Sequence, residues 1–379
     1  MPLPEPRLTF GIEEEYHIVD SRTRQLASLP PALLEACQAA LPGQIGTELL
    51  QSQLEVGTRP AKTMAGARAD LSHLRSTVAR LSASHGLAPV AASTHPFGGY
   101  RLQKTTQAER YLGLASDLAG IGRRLVICGM HVHVDLGDNE LRIDIMNQAR
   151  YFLPHLLALS TSSPFWEGED TGLKSFRLAI FNELPRTGLP ERMESWAKYQ
   201  QTVDVLVSAG VMEDASKVWW DLRPSAKFPT LELRITDVCT RMEDALTIAA
   251  LYLCICRALY RLRRNNQSWR QYPLLLLAEN RWRAQRYGVQ GSLFDLGTGA
   301  LVPLPQLLDE IIDLTAEDAA ALGCEDEIRR ARTIAGGGTS ADRQSAILQA
   351  AIDRGRTQHE ALSEVVDWLI AETANLGPT

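Results

Sequence analysis

Residues 9–20 read TFGIEEEYHIVD, three consecutive glutamates set inside an otherwise apolar run. In an extended strand successive side chains alternate between faces. Phe10, Ile12, Tyr16 and Ile18 then share one face, and Gly11, Glu13, Glu15 and His17 share the other. The first face suits a core. Carboxylates at i and i+2 stand roughly 7 Å apart by strand rise, a separation that one or two bridging cations can span. For an isolated G-x-E-x-E a solvated polar face is an equally good account. Glu14 fits neither, because it falls on the apolar side; it calls for a basic partner that the sequence does not name.

Three further stretches alternate in the same way. Residues 47–58, TELLQSQLEVGT, put Leu50, Leu54 and Val56 on one face and Gln51, Gln53 and Glu55 on the other. Residues 124–136, RLVICGMHVHVDL, place Met130, Val132, Val134 and Leu136 opposite His131, His133 and Asp135. His-x-His on a strand turns two imidazoles to the same side, a common grip on a metal. Residues 230–238, TLELRITDV, oppose Leu231, Leu233 and Ile235 to Glu232, Arg234 and Thr236. If these polar faces belong to one sheet, the acids and imidazoles converge on a cup. Like charges at close range repel and shift one another's pKa, and Mg²⁺ or Mn²⁺ would resolve the conflict. Arg177, Arg223 and Arg234 would then offer forked donors to phosphates, although for any one of them a structural ion pair is the commoner role, least so for Arg234, which shares a strand face with Glu232.

Strands are also expected over residues 87–93 and 218–223. Helical spacing marks residues 30–40, 63–85, 139–159 and 191–209, an apolar helix over 245–260, and helices near 304–314 and 340–354. The loop 160–170, STSSPFWEGED, brings Phe165 and Trp166 together, either as a wall or lid over a site or as a plug beneath the preceding helix. The expected architecture is α+β, an antiparallel sheet of about six strands with helices on one face. It forms a single catalytic domain over residues 1–379, with the sheet core at about 8–290 and a helical extension at about 300–379.

With 45% apolar and 22% charged residues and a formal net charge of −6, the chain is ordinary in composition. No basic stripe points to nucleic acid. The N-terminus lacks the basic and apolar regions of a secretory signal, and the apolar run 245–256 is short for a bilayer, so a cytoplasmic protein without a membrane partner is expected. The six cysteines, including Cys254 and Cys256, show no C-x-x-C spacing and read as free thiols. Neither a phosphate-binding G-x-x-x-x-G-K-[ST] loop nor a dinucleotide G-x-G-x-x-G occurs. A nucleotide would have to be held through metals and arginines.

The ordered set G-I-E-x-E at 11–15, S-x-L-E at 52–55, T-H-P-F at 94–97, G-M-H-V-H-V at 129–134, S-P-F-W-x-G-x-D-T-G at 163–172 and L-E-L-R-x-x-D at 231–237 resembles the YbdK-like carboxylate-amine ligases, grouped with the type 2 glutamate-cysteine ligases. The resemblance implies a curved antiparallel sheet like the catalytic domain of glutamine synthetase and guanidino kinases. It implies ATP-dependent joining of a carboxylate, here glutamate through its γ-carboxylate, to cysteine or another small amine by way of an acyl phosphate. Carried over position by position, Glu13, Glu15, Glu55, His131 and Glu232 match metal-binding places, with His133 a further ligand of the YbdK-like pattern. Arg234 matches an arginine on the nucleotide phosphates; Arg177 and Arg223 are its candidate companions, and Glu232 and Arg234 are the catalytic pair. ATP and Mg²⁺, or Mn²⁺, are the implied cofactors, small-molecule substrates the partners, and a homodimer is allowed. Two other readings stay open: a ligand-binding protein that keeps the fold without turnover, and a metal-dependent hydrolase built on His131 and His133.

Overall fold

Strand β1, Phe10–Asp20, is the spine of the protein, and the computed structural model describes residues 5–376 around it. Its residues 13–17 pair antiparallel with β3 (Gln53–Gly57) along one edge. On the other edge residues 10–14 pair with β5 (Met130–Asp135) and residues 17–20 with β4 (Leu87–Val90). β2 (Ile45–Thr47) flanks β3, while β11 (Thr230–Leu233) and β10 (Leu222–Pro224) continue beyond β5. The sheet thus runs β10-β11-β5-β1-β3-β2, with β4 beside β1. Seven strands form it, one more than the alternation predicts, because the expected strand over 47–58 is extended only at β3 and a turn separates it from β2, which ends at Thr47. The expected strand over 124–136 likewise begins only at Met130, since residues 124–129 run as irregular backbone that is tied to its neighbours by single bridges.

The apolar face of the sheet is covered by α2 (Met64–Ala83) and α8 (Met242–Arg264), and Phe10, Ile12, Tyr16, Ile18, Leu54, Val132 and Leu233 meet them in one continuous core. Between β1 and β2 lies α1 (Pro31–Ala40), and between β5 and β10 lie α4 (Asn139–Ala149), α5 (Leu153–Ser160), α6 (Arg177–Phe181) and α7 (Trp196–Ser208). The opposite, polar face of the sheet stays open at its centre and is rimmed by α3 (Glu109–Gly122) and α6, a pair of walls the periodicity did not place there. α9 (Leu274–Tyr287), α10 (Leu304–Leu322) and α11 (Glu325–Gly337) pack outside α5 and α8. α12 (Ser340–Asp353) and α13 (Gln358–Ala374) form an antiparallel pair, α13 lying along β4. α8 has the length and composition to cross a bilayer, against the expectation from its shorter apolar run, but 83% of its apolar window is buried inside the fold.

The hairpin of β6 (Phe165–Trp166) and β7 (Glu169–Asp170) decides between lid and plug. Phe165 is wholly buried beside Val19, Leu362 and Val365, and Trp166 stacks on Tyr100 at 6.3 Å and tilts against Phe176 at 5.5 Å. Both rings are buried packing elements and not a lid, but they pack on α13 and on the cluster around Leu118 and Phe181 instead of beneath the preceding helix. Two short strands, β8 (Thr187–Gly188) and β9 (Trp219–Trp220), pair in parallel and lead into β10.

The partner that Glu14 calls for is Arg75 of α2. Both side chains are fully buried, with Arg75 Nη2 2.6 Å from Glu14 Oε1 and Nε 2.9 Å from Oε2. Nη1 and Nη2 also donate to the carbonyls of Thr240 and Cys239 at 2.7 and 2.8 Å, and the Tyr16 hydroxyl donates to Glu14. Every charge is thereby met inside the core, which is the condition for burying a pair at all. The pair ties β1, α2 and the start of α8 together. Arg75→Met should cost about 3–5 kcal/mol, because it strands the Glu14 charge, read as a lower urea midpoint with unchanged slope. Adding Glu14→Leu to that variant should recover more than half of the loss. Equal losses in the single and double variants would show that shape, not charge, sets the cost.

Candidate active site

The registers line the acids up across the sheet. Glu13 stands opposite Gly57 on one side and His131 on the other; Glu15 stands opposite Glu55; Glu232 lies between His133 and Arg223. All of these side chains project to the open face, where they floor a cavity of about 320 Å³. Two glycines make room for them. A Cβ on Gly46, opposite Glu55, would come within 3.0 Å of Glu55 Oε1, and one on Gly129 would collide with the Arg177 guanidinium.

Two clusters emerge. In each, the facing ligand atoms lie within 4.8 Å of one another: Glu13, His133 and Glu232 in one, Glu15, Glu48 and Glu55 in the other. His131 sits between them, with Nδ1 3.3 Å from Glu13 Oε2 and Nε2 3.9 Å from Glu15 Oε1. His133 Nε2 is 3.4 Å from Glu13 Oε1 but makes no hydrogen bond, while its Nδ1 meets Thr230 Oγ1 at 2.9 Å. A buried, unbonded imidazole nitrogen among carboxylates is a ligand set that suits a divalent cation.

The electrostatics of the clusters differ. Burial alone would raise the Glu13 pKa, but the His131 hydrogen bond and the close approach and charge of both imidazoles outweigh it and hold the carboxylate far below its usual range. Glu232 behaves likewise: burial opposes ionisation, and Arg234 and Arg223 overcome it. For Glu55 the hydrogen bond with Glu48 and the charge of Arg234 are outweighed. Burial and the charges of Glu13 and Glu15 push it up to about 8, and Glu48 is raised as well by burial, Glu15 and Glu55. Without a cation, the pair Glu48 and Glu55 holds a proton into the neutral range.

Glu48 is the member that sequence reasoning missed. Counting by twos from Glu55 puts it on the apolar phase, and only the turn between β2 and β3 reverses that phase. An acid on the wrong phase of an alternating run was the available signal, as it was for Glu14. The walls from α3, Arg110, Tyr111, Leu114 and Leu118, were also missed.

The three arginines divide by their commitments. Arg223 gives Nε and Nη2 to Glu232 at 2.9 and 3.2 Å and Nη1 to the carbonyls of Ser216 and Val218, so all of these donors serve the protein and its work is to hold Glu232. Arg177 is buried, donates to the carbonyls of Arg234 and Ile235, and lies over the Phe181 ring at 5.4 Å. Arg234 gives Nη1 to Glu232, while its Nε is buried beside the cavity without a partner. The Arg177 amide donates to Ser163 Oγ at 3.2 Å, and that hydroxyl, with the Ser162 amide and the Ser175 hydroxyl, donates to the Asp237 carboxylate at 2.7–2.9 Å.

These shifts set a pH test on the metal-free protein. Glu55 keeps a proton up to about pH 8 when folded but loses it near its ordinary value of 4.5 when unfolded, so its contribution is complete at low pH and is lost as pH rises through 8. The raised Glu48 and His133 act in the same direction. The lowered His17, His95, His131 and His155 affect stability only below about pH 6.5. In EDTA, unfolding free energy should therefore fall between pH 7 and 8.5, by up to about 1 kcal/mol per pH unit, and Glu48→Gln should flatten the slope. A flat or rising wild-type profile would contradict the assignment of shared protons.

The model of glutamate-cysteine ligase family 2 matches residues 9–367. Relatives provisionally named glutamate–cysteine ligase 2 occur in Rhodospirillum rubrum, 55% identical over 97% of this chain and 96% of that protein, and in Jannaschia, 53% identical over 97% of each. Among solved structures, a bifunctional glutathione synthetase from Pasteurella multocida superposes with a TM-score of 0.70 at 16% identity, covering 97% of this chain and 53% of that one. A glutamate–cysteine ligase from Francisella tularensis, in complex with AMP, gives 0.65 at 12% identity over 97% and 92%. Those two likenesses establish the shared fold, and the family match together with relatives above 50% identity across nearly the whole chain goes further: the chain belongs to the glutamate-cysteine ligase family 2.

Proposed function

We propose that the protein is an ATP-dependent carboxylate-amine ligase that joins glutamate, through its γ-carboxylate, to cysteine or another small amine. The observation that carries the reading is the pair of carboxylate clusters on one sheet face, flanking His131 and overlooked by the unpartnered Nε of Arg234. Glu13, His133 and Glu232 would hold one Mg²⁺ or Mn²⁺ and Glu15, Glu48 and Glu55 a second, with His131 able to join either. Bound there, the cations would neutralise phosphate charge and polarise the transferred phosphoryl group.

The residues of the chain supply position and charge. The substrate carboxylate oxygen attacks the γ-phosphorus of ATP, the bond from that phosphorus to the bridging oxygen breaks, and ADP leaves. Arg234, oriented by Glu232, faces the equatorial oxygens, where charge accumulates during transfer. Arg223 keeps Glu232 ionised and fixed, so that Arg234 is held at one angle. The amine nitrogen then attacks the carbonyl carbon of the acyl phosphate, the bond to the phosphate oxygen breaks, and phosphate departs as the nitrogen loses a proton. An acyl phosphate hydrolyses in water, and the walls from α3 and α6 around the cavity limit that access.

ADP release measured with Mg²⁺, ATP, glutamate and an amine tests the reading. It should require the acid, rise with the amine and stop in EDTA. Glu232→Gln should lower turnover by about two to four decades, the scale of losing a main electrostatic element in phosphoryl transfer. Arg234→Lys should lower it more than about tenfold, because an ammonium cannot reproduce the planar fork. Metal-dependent amide hydrolysis that ignores ATP and disappears in His131→Ala would overturn the proposal, as would nucleotide binding with no ADP from any acid and amine.

A further inference from the structure

The two ends of the cavity differ in charge and in lining. At one end Glu13 and Glu232 meet Arg223, Arg234 and two imidazoles, and the exposed Phe228 stands edge-on to His133 at 6.2 Å. At the other end Glu15, Glu48 and Glu55 converge, and among the described residues no lysine or arginine forms an ion pair with any of them. Anionic phosphates fit the first end. The second end suits a cation, and its three carboxylates outnumber the two charges of one divalent ion.

Above the acidic end the wall is apolar. Leu49 comes from the turn after β2, Leu114 and Leu118 from α3, Ile127 from the segment before β5, and Phe181 and Leu184 from the end of α6 and beyond. Five of these six are at most 9% exposed, and all belong to or pack on one hydrophobic cluster. Tyr111 closes the wall, its hydroxyl donating to the Thr47 carbonyl next to Glu48. Two cations line this side. Arg177 has both Nη atoms committed to backbone carbonyls, and Arg110 is exposed at the rim, its guanidinium 5.6 Å from the centre of the Tyr111 ring.

We infer that the acceptor amine enters over Glu15, Glu48 and Glu55 and carries an apolar body, aliphatic or aromatic, where an amino acid would carry a carboxylate. The inference rests on the ligase reading above and narrows its acceptor. An alkylammonium matches the surplus negative charge with its head and the leucine wall with its body. The α-carboxylate of cysteine would instead face aliphatic side chains, with Arg110 at the rim as its one uncommitted cation among the described residues of that wall, and an unpaired charge beside such a wall is costly. In an apolar pocket each methylene of a fitting substrate changes kcat/KM by about 10–200-fold.

The test compares acceptors at fixed Mg²⁺, ATP and glutamate: isoamylamine, benzylamine and phenethylamine against cysteine and 2-aminobutyrate, with ADP release and the mass of the amide as readouts. The best apolar amine should exceed cysteine in kcat/KM by at least about tenfold. Leu118→Gln should lower the ratio of that amine to cysteine by at least about tenfold, whereas a folding defect would lower both and leave the ratio alone. Amide formation in which cysteine equals or outpaces every apolar amine, or a ratio unmoved by Leu118→Gln, would overturn the inference and leave the ligase reading standing. No ADP from any pair would sink that reading and the inference with it.

Discussion

Three adjacent glutamates on one buried strand cannot all stay ionised without help, and much of this structure is the set of answers to that problem. Glu14, turned into the core, is met by the Arg75 fork. Glu13, turned to the cup, is met by two imidazoles across the β1–β5 register. Glu15 receives the Gly129 amide at 2.6 Å, has His131 Nε2 no nearer than 3.9 Å, and faces two more carboxylates. Coulomb repulsion at such distances is several kcal/mol even at the effective dielectric of a protein surface. The first two solutions come from the chain itself; the third is left to a cation from solution or to the proton that Glu48 and Glu55 hold. A site that stores unneutralised charge at one point while neutralising it fully at its neighbours has a direction built into it.

That direction comes from strand order. β11 and the residues just after it bring Glu232 and Arg234, and β10 brings Arg223, to the side of β5; β2 and β3 bring Glu48 and Glu55 to the far side of β1. Basic groups thus accumulate at one edge of the sheet and uncompensated acids at the other. The same floor could have mixed the signs had β11 paired with β3. Because the strands are antiparallel and their polar phases agree, the gradient needs no flexible loop to hold it, and preorganised charge of this kind is what phosphoryl transfer demands of a protein.

Period-two alternation makes the floor of the cup legible in the sequence. Glu13, Glu15, Glu55, His131, His133 and Glu232 each sit on the polar phase of a strand, and phase is the one property of a strand that a sequence displays directly. What alternation does not display is where a strand stops. Residues 47–58 keep the pattern through a turn, so Glu48 is hidden by being counted on the wrong face. Arg75 is hidden for a related reason: on α2 it occupies an otherwise apolar stripe, and helix periodicity cannot tell a buried arginine with a partner from an exposed one. The expectation that Arg223 donates to phosphate treats an arginine on a polar face as free, whereas its neighbours across the register and in the segment just before β9 already use its donors. Hydrogen-bond satisfaction belongs to tertiary structure and leaves little trace in spacing.

The C-terminal helices carry the least meaning in the sequence, yet they bear on the site through a short chain of contacts. The Gly336-Gly337-Gly338 stretch ends α11, and Thr339 caps α12 with a reciprocal bond from Asp342. From that cap Thr339 Oγ1 meets Thr161 Oγ1 at 2.7 Å, Ser340 Oγ meets Thr240 Oγ1 at 2.7 Å, Asp342 pairs with Lys174 at 2.8 Å, and Gln344 donates to the Ser162 carbonyl at 2.8 Å. Thr161, Ser162 and Lys174 bracket the segment whose serines grip Asp237 and whose continuation is Arg177. Asp237 in turn follows Arg234 by three residues on the same stretch. A helical tail that, among the described residues, puts no group into the cavity therefore braces the segment that leads into Arg177, while Arg234 is held from the sheet side by Glu232.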